Sequence, residues 1–140
     1  HQAFISALYQ YGHYLGLCFQ ITDDLIDYTS SQDEMGKGRG DDFREGKITL
    51  PVLFAIQKAR AENAQEEIEF WSRCLKDNAQ QDNDFEHALT LIHKRNTLNG
   101  SKSLNREYAE KAKQSLSIFK DSPLQKTLLE LVDYVVERAS

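Results

Sequence analysis

From about residue 3 to about residue 30 the chain carries no proline and an almost unbroken run of helix-compatible side chains, FISALYQYGHYLGLCFQITDDLIDYTS. That stretch predicts one long helix, and the helix is apolar around most of its circumference. Tyr11, Tyr14, Leu15, Leu17, Cys18, Phe19, Ile21, Leu25, Ile26 and Tyr28 leave room for only one polar stripe. Such a helix requires other helices to cover it, so the fold class follows: an all-α bundle, or part of one.

The remainder agrees. Proline occurs only twice, and β-branched runs are short. Thr49 with Pro51 signals a second helix through VLFAIQKARA. AQEEIEFWSRCL reads as a short amphipathic helix, and KDNAQQDND as a polar connection. Asn83 with Glu86 opens another helix ending near Arg95, NTLNGS reads as a turn, and Leu104, Tyr108, Ala112, Leu116 and Phe119 form a helical stripe. Ser122–Pro123 starts a last helix whose Leu124, Leu128, Leu131 and Val135 are expected to be buried. The 140 residues suit a single all-α domain. The chain opens HQAFISALYQ, already in helical register without Met or a cap, and is expected to continue a longer polypeptide.

The polar stripe of the first helix holds three carboxylates. At roughly 100° per residue, with Asp23 at zero, Asp27 falls near 40°, Gln20 near 60° and Asp24 near 100°. Gly12, His13 and Gly16 lie on or next to the same stripe. Like charges at these spacings cost about 0.2–0.5 kcal/mol per pair when solvated, and more when partly buried. No Lys or Arg stands within four residues to offset them. A divalent cation would, and hard oxygen donors select Mg²⁺, Mn²⁺ or Ca²⁺ over zinc. A solvated acidic face is the plainer reading, and spacing alone does not choose between the two.

A Gly-rich loop follows, SQDEMGKGRGDDFREGK, with Lys37, Arg39, Arg44 and Lys47 interleaved with Asp33, Glu34, Asp41, Asp42 and Glu45. It could fold over an anionic ligand, or it could be a balanced, solvated loop. No Ser/His/Asp or Cys/His constellation can be assembled. His87 and His93 lie off one face, His13 reads as packed, Cys18 as core and Trp71 as packing. The chemistry left is electrophilic, with a metal assisting departure of a polyphosphate group.

Taken together, FQITDDLIDY and GKGRGDDFREGKITLP resemble the second aspartate-rich region of the trans-isoprenyl (polyprenyl) diphosphate synthases. The family pattern runs FQxxDDxxDY, GK, GxD, GKxTLP. Phe19, Gln20, Asp23, Asp24, Asp27 and Tyr28 match its first part, and Gly36, Lys37, Gly40, Asp42, Gly46, Lys47, Thr49, Leu50 and Pro51 the rest. The resemblance implies the isoprenoid synthase fold. It implies that Asp23, Asp24 and Asp27 hold Mg²⁺ (Mn²⁺ being possible) bridging to an allylic diphosphate. Lys37 and Lys47 would act on that diphosphate, Asp42 would order the loop or the metal's waters, and Gln20 would line the site near the allylic cation. The partners implied are the allylic diphosphate and isopentenyl diphosphate, with a homodimer for the complete enzyme.

The family's first aspartate-rich motif and its basic isopentenyl diphosphate pocket are absent from these 140 residues, so the resemblance covers the C-terminal half and predicts an inactive piece. A non-catalytic partner subunit is an alternative, set against by the intact Asp and Lys set. A class I terpene cyclase or phosphohydrolase is another, although no NDxxSxxxE motif accompanies the DDxxD. The net charge of −5 argues against a nucleic-acid surface. Cys18 and Cys74 form no CxxC pair, and no transmembrane segment or signal peptide is evident, which leads us to expect a reducing, cytoplasmic setting.

Overall fold

A computed structural model describes residues 1–29 and 39–139. Helices α1 (Gln2–Thr29), α2 (Asp41–Arg44), α3 (Leu50–Ala61), α4 (Gln65–Trp71), α5 (Asp84–Lys94), α6 (Thr97–Ser115) and α7 (Pro123–Glu137) make up the fold, and the described residues contain no strand. A π turn, Ser72–Lys76, extends α4. Two compact units divide the chain, residues 1–23 with 102 onward, and Asp24–Ser101.

In the first unit, Tyr11, Cys18, Ala109, Ala112, Leu116, Val132 and Val135 build the core. Burial pushes the Cys18 thiol up to about 11, as befits an inert core cysteine. The Tyr11 hydroxyl donates to the Leu128 carbonyl at 2.8 Å. Immediately before the acids, Asn105 Nδ2 donates to Thr22 Oγ1 at 2.9 Å, with both residues inaccessible to solvent. Asn105→Ala should therefore cost about 1–3 kcal/mol, because it opens a void and leaves a buried hydroxyl without its donor. A denaturant titration measures this, and a change under 0.5 kcal/mol would show the pair to be incidental.

Several expectations change in this unit. Serine 122 caps α7 as expected, accepting from the Gln125 amide at 3.0 Å. The buried face of α7, however, is Val132 and Val135 with Leu128 alongside, while Leu124 and Leu131 are 70% and 41% exposed. His13 is exposed, edge-on to Tyr14, and not packed inside. The apolar circumference of α1 is also less covered than its composition implies: Phe4, Ile5, Leu8, Tyr9 and Phe19 are exposed. Their cover is partial: Phe4 stacks on Phe119 at 5.1 Å between ring centroids, and the Arg138 guanidinium lies over the Phe19 ring at 5.8 Å.

The second unit closes around Tyr28, Phe43, Val52, Phe70, Trp71, Cys74, Phe85 and Ile92. Trp71 is core, and His87 sits at the core edge against the Phe70 ring, 4.5 Å between centroids. Asparagines in the left-handed region punctuate the helices at Asn63, Asn78, Asn83 and Asn96, a conformation that asparagine tolerates better than most residues. Asn83 and Thr49 occupy the N-cap positions but make no side-chain cap bond. NTLNGS is not a turn. Asn96 alone turns the chain, and α6 begins at Thr97, with Thr97 and Ser101 fully buried and Gly100 leaving space beside Phe54.

Arg73 clamps Asp84 through two bonds, of 2.8 and 3.0 Å, and the Gln81 amide adds a third at 2.6 Å. These hydrogen bonds, the guanidinium's first, hold the Asp84 carboxyl at about 2 rather than 3.8. A depressed folded value means that the stabilisation is complete above pH 4 and is lost as pH falls from about 4 to about 2. Asp84→Asn should therefore flatten the acid limb of a stability-versus-pH curve in that window. An unchanged limb would show that other carboxylates carry it.

Candidate metal and diphosphate site

Three separate features of the chain place the acids. Helix α1 carries Asp23, Asp24 and Asp27 on its last two turns. Gly40 then adopts φ +84°, which only glycine takes without strain, and turns the chain into α2. The Gly40 amide donates to the Asp27 carbonyl at 3.0 Å, and the Asp42 amide donates to Asp27 Oδ1 at 3.3 Å. Residues fifteen apart are thereby fastened together.

The outcome is a cluster. Asp23, Asp24 and Asp42 each present a carboxylate oxygen within 4.8 Å of the others. Asp42 is 4% exposed and Asp24 9%, so water screens the group poorly. Two unit charges 4–5 Å apart repel by about 3–4 kcal/mol at an effective dielectric of about 20. Asp27 is 1% exposed, and its Oδ1 holds the turn. Lys47 Nζ reaches Asp42 Oδ1 at 3.6 Å and Glu45 Oε2 at 3.3 Å, and these two acids raise its pKa. The Lys47 amide donates to the Asp42 carbonyl at 2.9 Å, fixing both ends of the short helix.

Tyr28 reports the same negative field from inside. Burial raises its phenol first, the Thr49 side chain works against that, and Asp27, Asp42 and Asp24 add to the rise. The phenol stays protonated beside the acids. All the donors in the cluster are hard carboxylate oxygens, which fits a divalent cation of the Mg²⁺ or Ca²⁺ type and not zinc.

The sequence-predicted residues distribute as follows. Asp23 and Asp24 converge with Asp42, while Asp27 lies one turn on and ties down the turn that carries Asp42. Gln20 is exposed on α1, one helical turn before the pair. Lys47 faces Asp42. Lys37, with Gly36 and Gly38, lies outside the described residues. Sequence reasoning missed Phe85, whose ring stacks on Tyr28 and lies 6.0 Å from Phe43. Its only sequence signal was an apolar position in the first turn of a helix.

The polyprenyl synthetase family profile matches residues 1–92, a span that includes every residue of this site. The chain belongs to the polyprenyl synthetase family. A prenyl transferase of Synechocystis sp. is 40% identical over 131 residues, 94% of this chain and 38% of the relative. Among solved structures, the polyprenyl synthase of Caulobacter crescentus, complexed with calcium and isoprenyl diphosphate, superposes with a TM-score of 0.87. It shares 41% identity and covers all of this chain and 42% of its own. A decaprenyl diphosphate synthase from Rhodobacter capsulatus gives 0.85 at 42% identity, with the same coverage. The all-α bundle of this polyprenyl synthetase chain is thus the isoprenoid synthase fold, as its sequence implied. The chain spans about two fifths of the length of these relatives. No helix among the described residues is long and apolar enough to cross a membrane.

Proposed function

We propose that this chain is the C-terminal part of a trans-polyprenyl diphosphate synthase and supplies half of its metal–diphosphate site. The observation that carries the reading is the convergence of Asp23, Asp24 and Asp42 within 4.8 Å, on a turn anchored by Asp27. The substrates would be an allylic diphosphate and isopentenyl diphosphate. The allylic C–O bond breaks, with its electron pair leaving on diphosphate. The double bond of isopentenyl diphosphate forms the new C–C bond, and a proton passes to the departing diphosphate. The products are a longer trans-prenyl diphosphate and inorganic diphosphate.

Bound Mg²⁺ would neutralise the charge growing on the leaving diphosphate. Asp23, Asp24 and Asp42 would hold it, and Asp27 would fix the turn and lend its charge. Lys47, kept protonated by Asp42 and Glu45, would lie beside the diphosphate, with Lys37 reaching it from the segment between α1 and Gly40. Gln20 would line the site one turn back. Asp24 and Asp42 are themselves nearly inaccessible to solvent, and the complete site would have to keep water from the allylic cation. A homodimer acting in the cytoplasm completes the proposal.

The 140-residue polypeptide alone should show no condensation, because the complementary acidic motif and the isopentenyl diphosphate pocket are not in it. The test is an assay of labelled isopentenyl diphosphate incorporation with Mg²⁺, run on this polypeptide and on the full-length protein. Turnover by the isolated 140 residues would contradict the half-site reading.

A further inference from the structure

The acidic turn rests on one aromatic ring. Phe85 sits on α5, far along the chain from the motif, and is 7% exposed. A Cβ added at Gly40 would stand 2.6–2.9 Å from three carbons of that ring, so the Gly40 backbone lies against it with no space to spare. Phe43, on the other side of Asp41 and Asp42, meets the ring at 6.0 Å, and Tyr28, next to Asp27, stacks on it at 6.0 Å. The Arg44 and Arg39 guanidiniums lie over it at 5.0 and 5.8 Å, and Arg44 Nη1 donates to the Arg39 carbonyl at 2.6 Å. The negative ring face eases the proximity of the two cations. Gln80 Nε2 adds a second tether from outside the motif, donating to the Phe43 carbonyl at 2.7 Å.

We propose that Phe85 is a positioning residue for the metal site: through Gly40 and Phe43 it sets where the Asp42 carboxylate stands relative to Asp24. This rests on the functional reading above. Phe85 lies on α5, outside the motif that carries the acids. It fixes the two residues that bracket Asp41 and Asp42, and the carboxylate can shift only if the ring or the turn gives way. Outer supports of this kind typically change metal affinity by about 10–100-fold when removed.

The test uses the full-length protein and Mn²⁺ as the probe, with free ion counted by electron paramagnetic resonance in the presence of inorganic diphosphate, alongside the Mg²⁺ dependence of turnover. Phe85→Leu keeps apolar bulk but removes the ring. Both Mn²⁺ dissociation and the Mg²⁺ midpoint should rise about tenfold or more, while KM for isopentenyl diphosphate stays constant. Gly40→Ala should give a similar defect, because the added Cβ meets the Phe85 ring and alanine is strained at φ +84°. A role in stability alone would lower the active fraction and leave the Mn²⁺ affinity of the folded fraction unchanged, and that result overturns the proposal. Phe85→Met, read in the same way, decides the matter if Phe85→Leu is unstable. Wild-type protein without Mn²⁺ affinity would overturn this proposal together with the functional reading. Normal wild-type affinity with no change in Phe85→Leu overturns this proposal alone.

Discussion

Asp23→Asn in the full-length enzyme should lower kcat by about 10²–10³-fold, the range found when one group stabilising transition-state charge is removed. Asparagine keeps the shape and removes one formal charge from a cluster whose members lie within 4.8 Å. The same change should leave the metal-free protein as stable as the wild type or slightly more stable, because a repulsion is relieved. This opposition of signs is diagnostic. A residue kept for packing or folding would lose stability along with activity. Steady-state kinetics at saturating Mg²⁺ and a thermal melt in EDTA read the two effects separately. Unchanged kcat would remove Asp23 from the metal set.

Asp27 tests a finer distinction. Its Oδ1 accepts from the Asp42 amide at 3.3 Å, and the residue is almost wholly buried. Asp27→Ala should destabilise the fold by about 1–3 kcal/mol, since a buried amide loses its acceptor and a void opens. Asp27→Asn is the informative partner. An amide oxygen can still accept from the Asp42 amide, so the turn should persist. If anchoring is the larger part of the role of Asp27, Asn retains well above the activity of Asp23→Asn, within about tenfold of wild type. If Asp27 ligates the metal directly, Asp27→Asn falls as far as Asp23→Asn. Comparing kcat for the two variants under one set of conditions decides between anchor and ligand.

The parts of the fold that were legible in the sequence were those carried by local signals. The long helix was visible because about eight turns of apolar residues run without a breaker, and α7 began where Ser122–Pro123 said it would. The composite motif marked the acids because its spacings are specific in combination. The start of α6 was hidden because its buried face opens with polar residues, Thr97, Ser101 and Asn105, that no hydrophobic periodicity marks. Helix α7 offers two overlapping apolar stripes, one through Leu124 and Leu131 and one through Leu128, Val132 and Val135. Only its packing partners choose between them. The site divides in the same way. Three carboxylates on one helix can be counted in the sequence, but the fastening of Asp42 to Asp27 spans fifteen residues and depends on a glycine at positive φ. Phe85 depends on a contact between the motif and α5, which no spacing encodes.

The central claim is that these carboxylates hold a divalent cation for prenyl transfer. The most direct measurement incubates the full-length protein with an allylic diphosphate and labelled isopentenyl diphosphate, with Mg²⁺ and with EDTA, and analyses the organic-soluble product after phosphatase treatment. The account predicts label in prenyl alcohols longer than the primer with Mg²⁺, none with EDTA, and recovery on adding the metal back. Equal turnover in EDTA, or no elongated product from folded protein that binds both substrates with Mg²⁺, would contradict it.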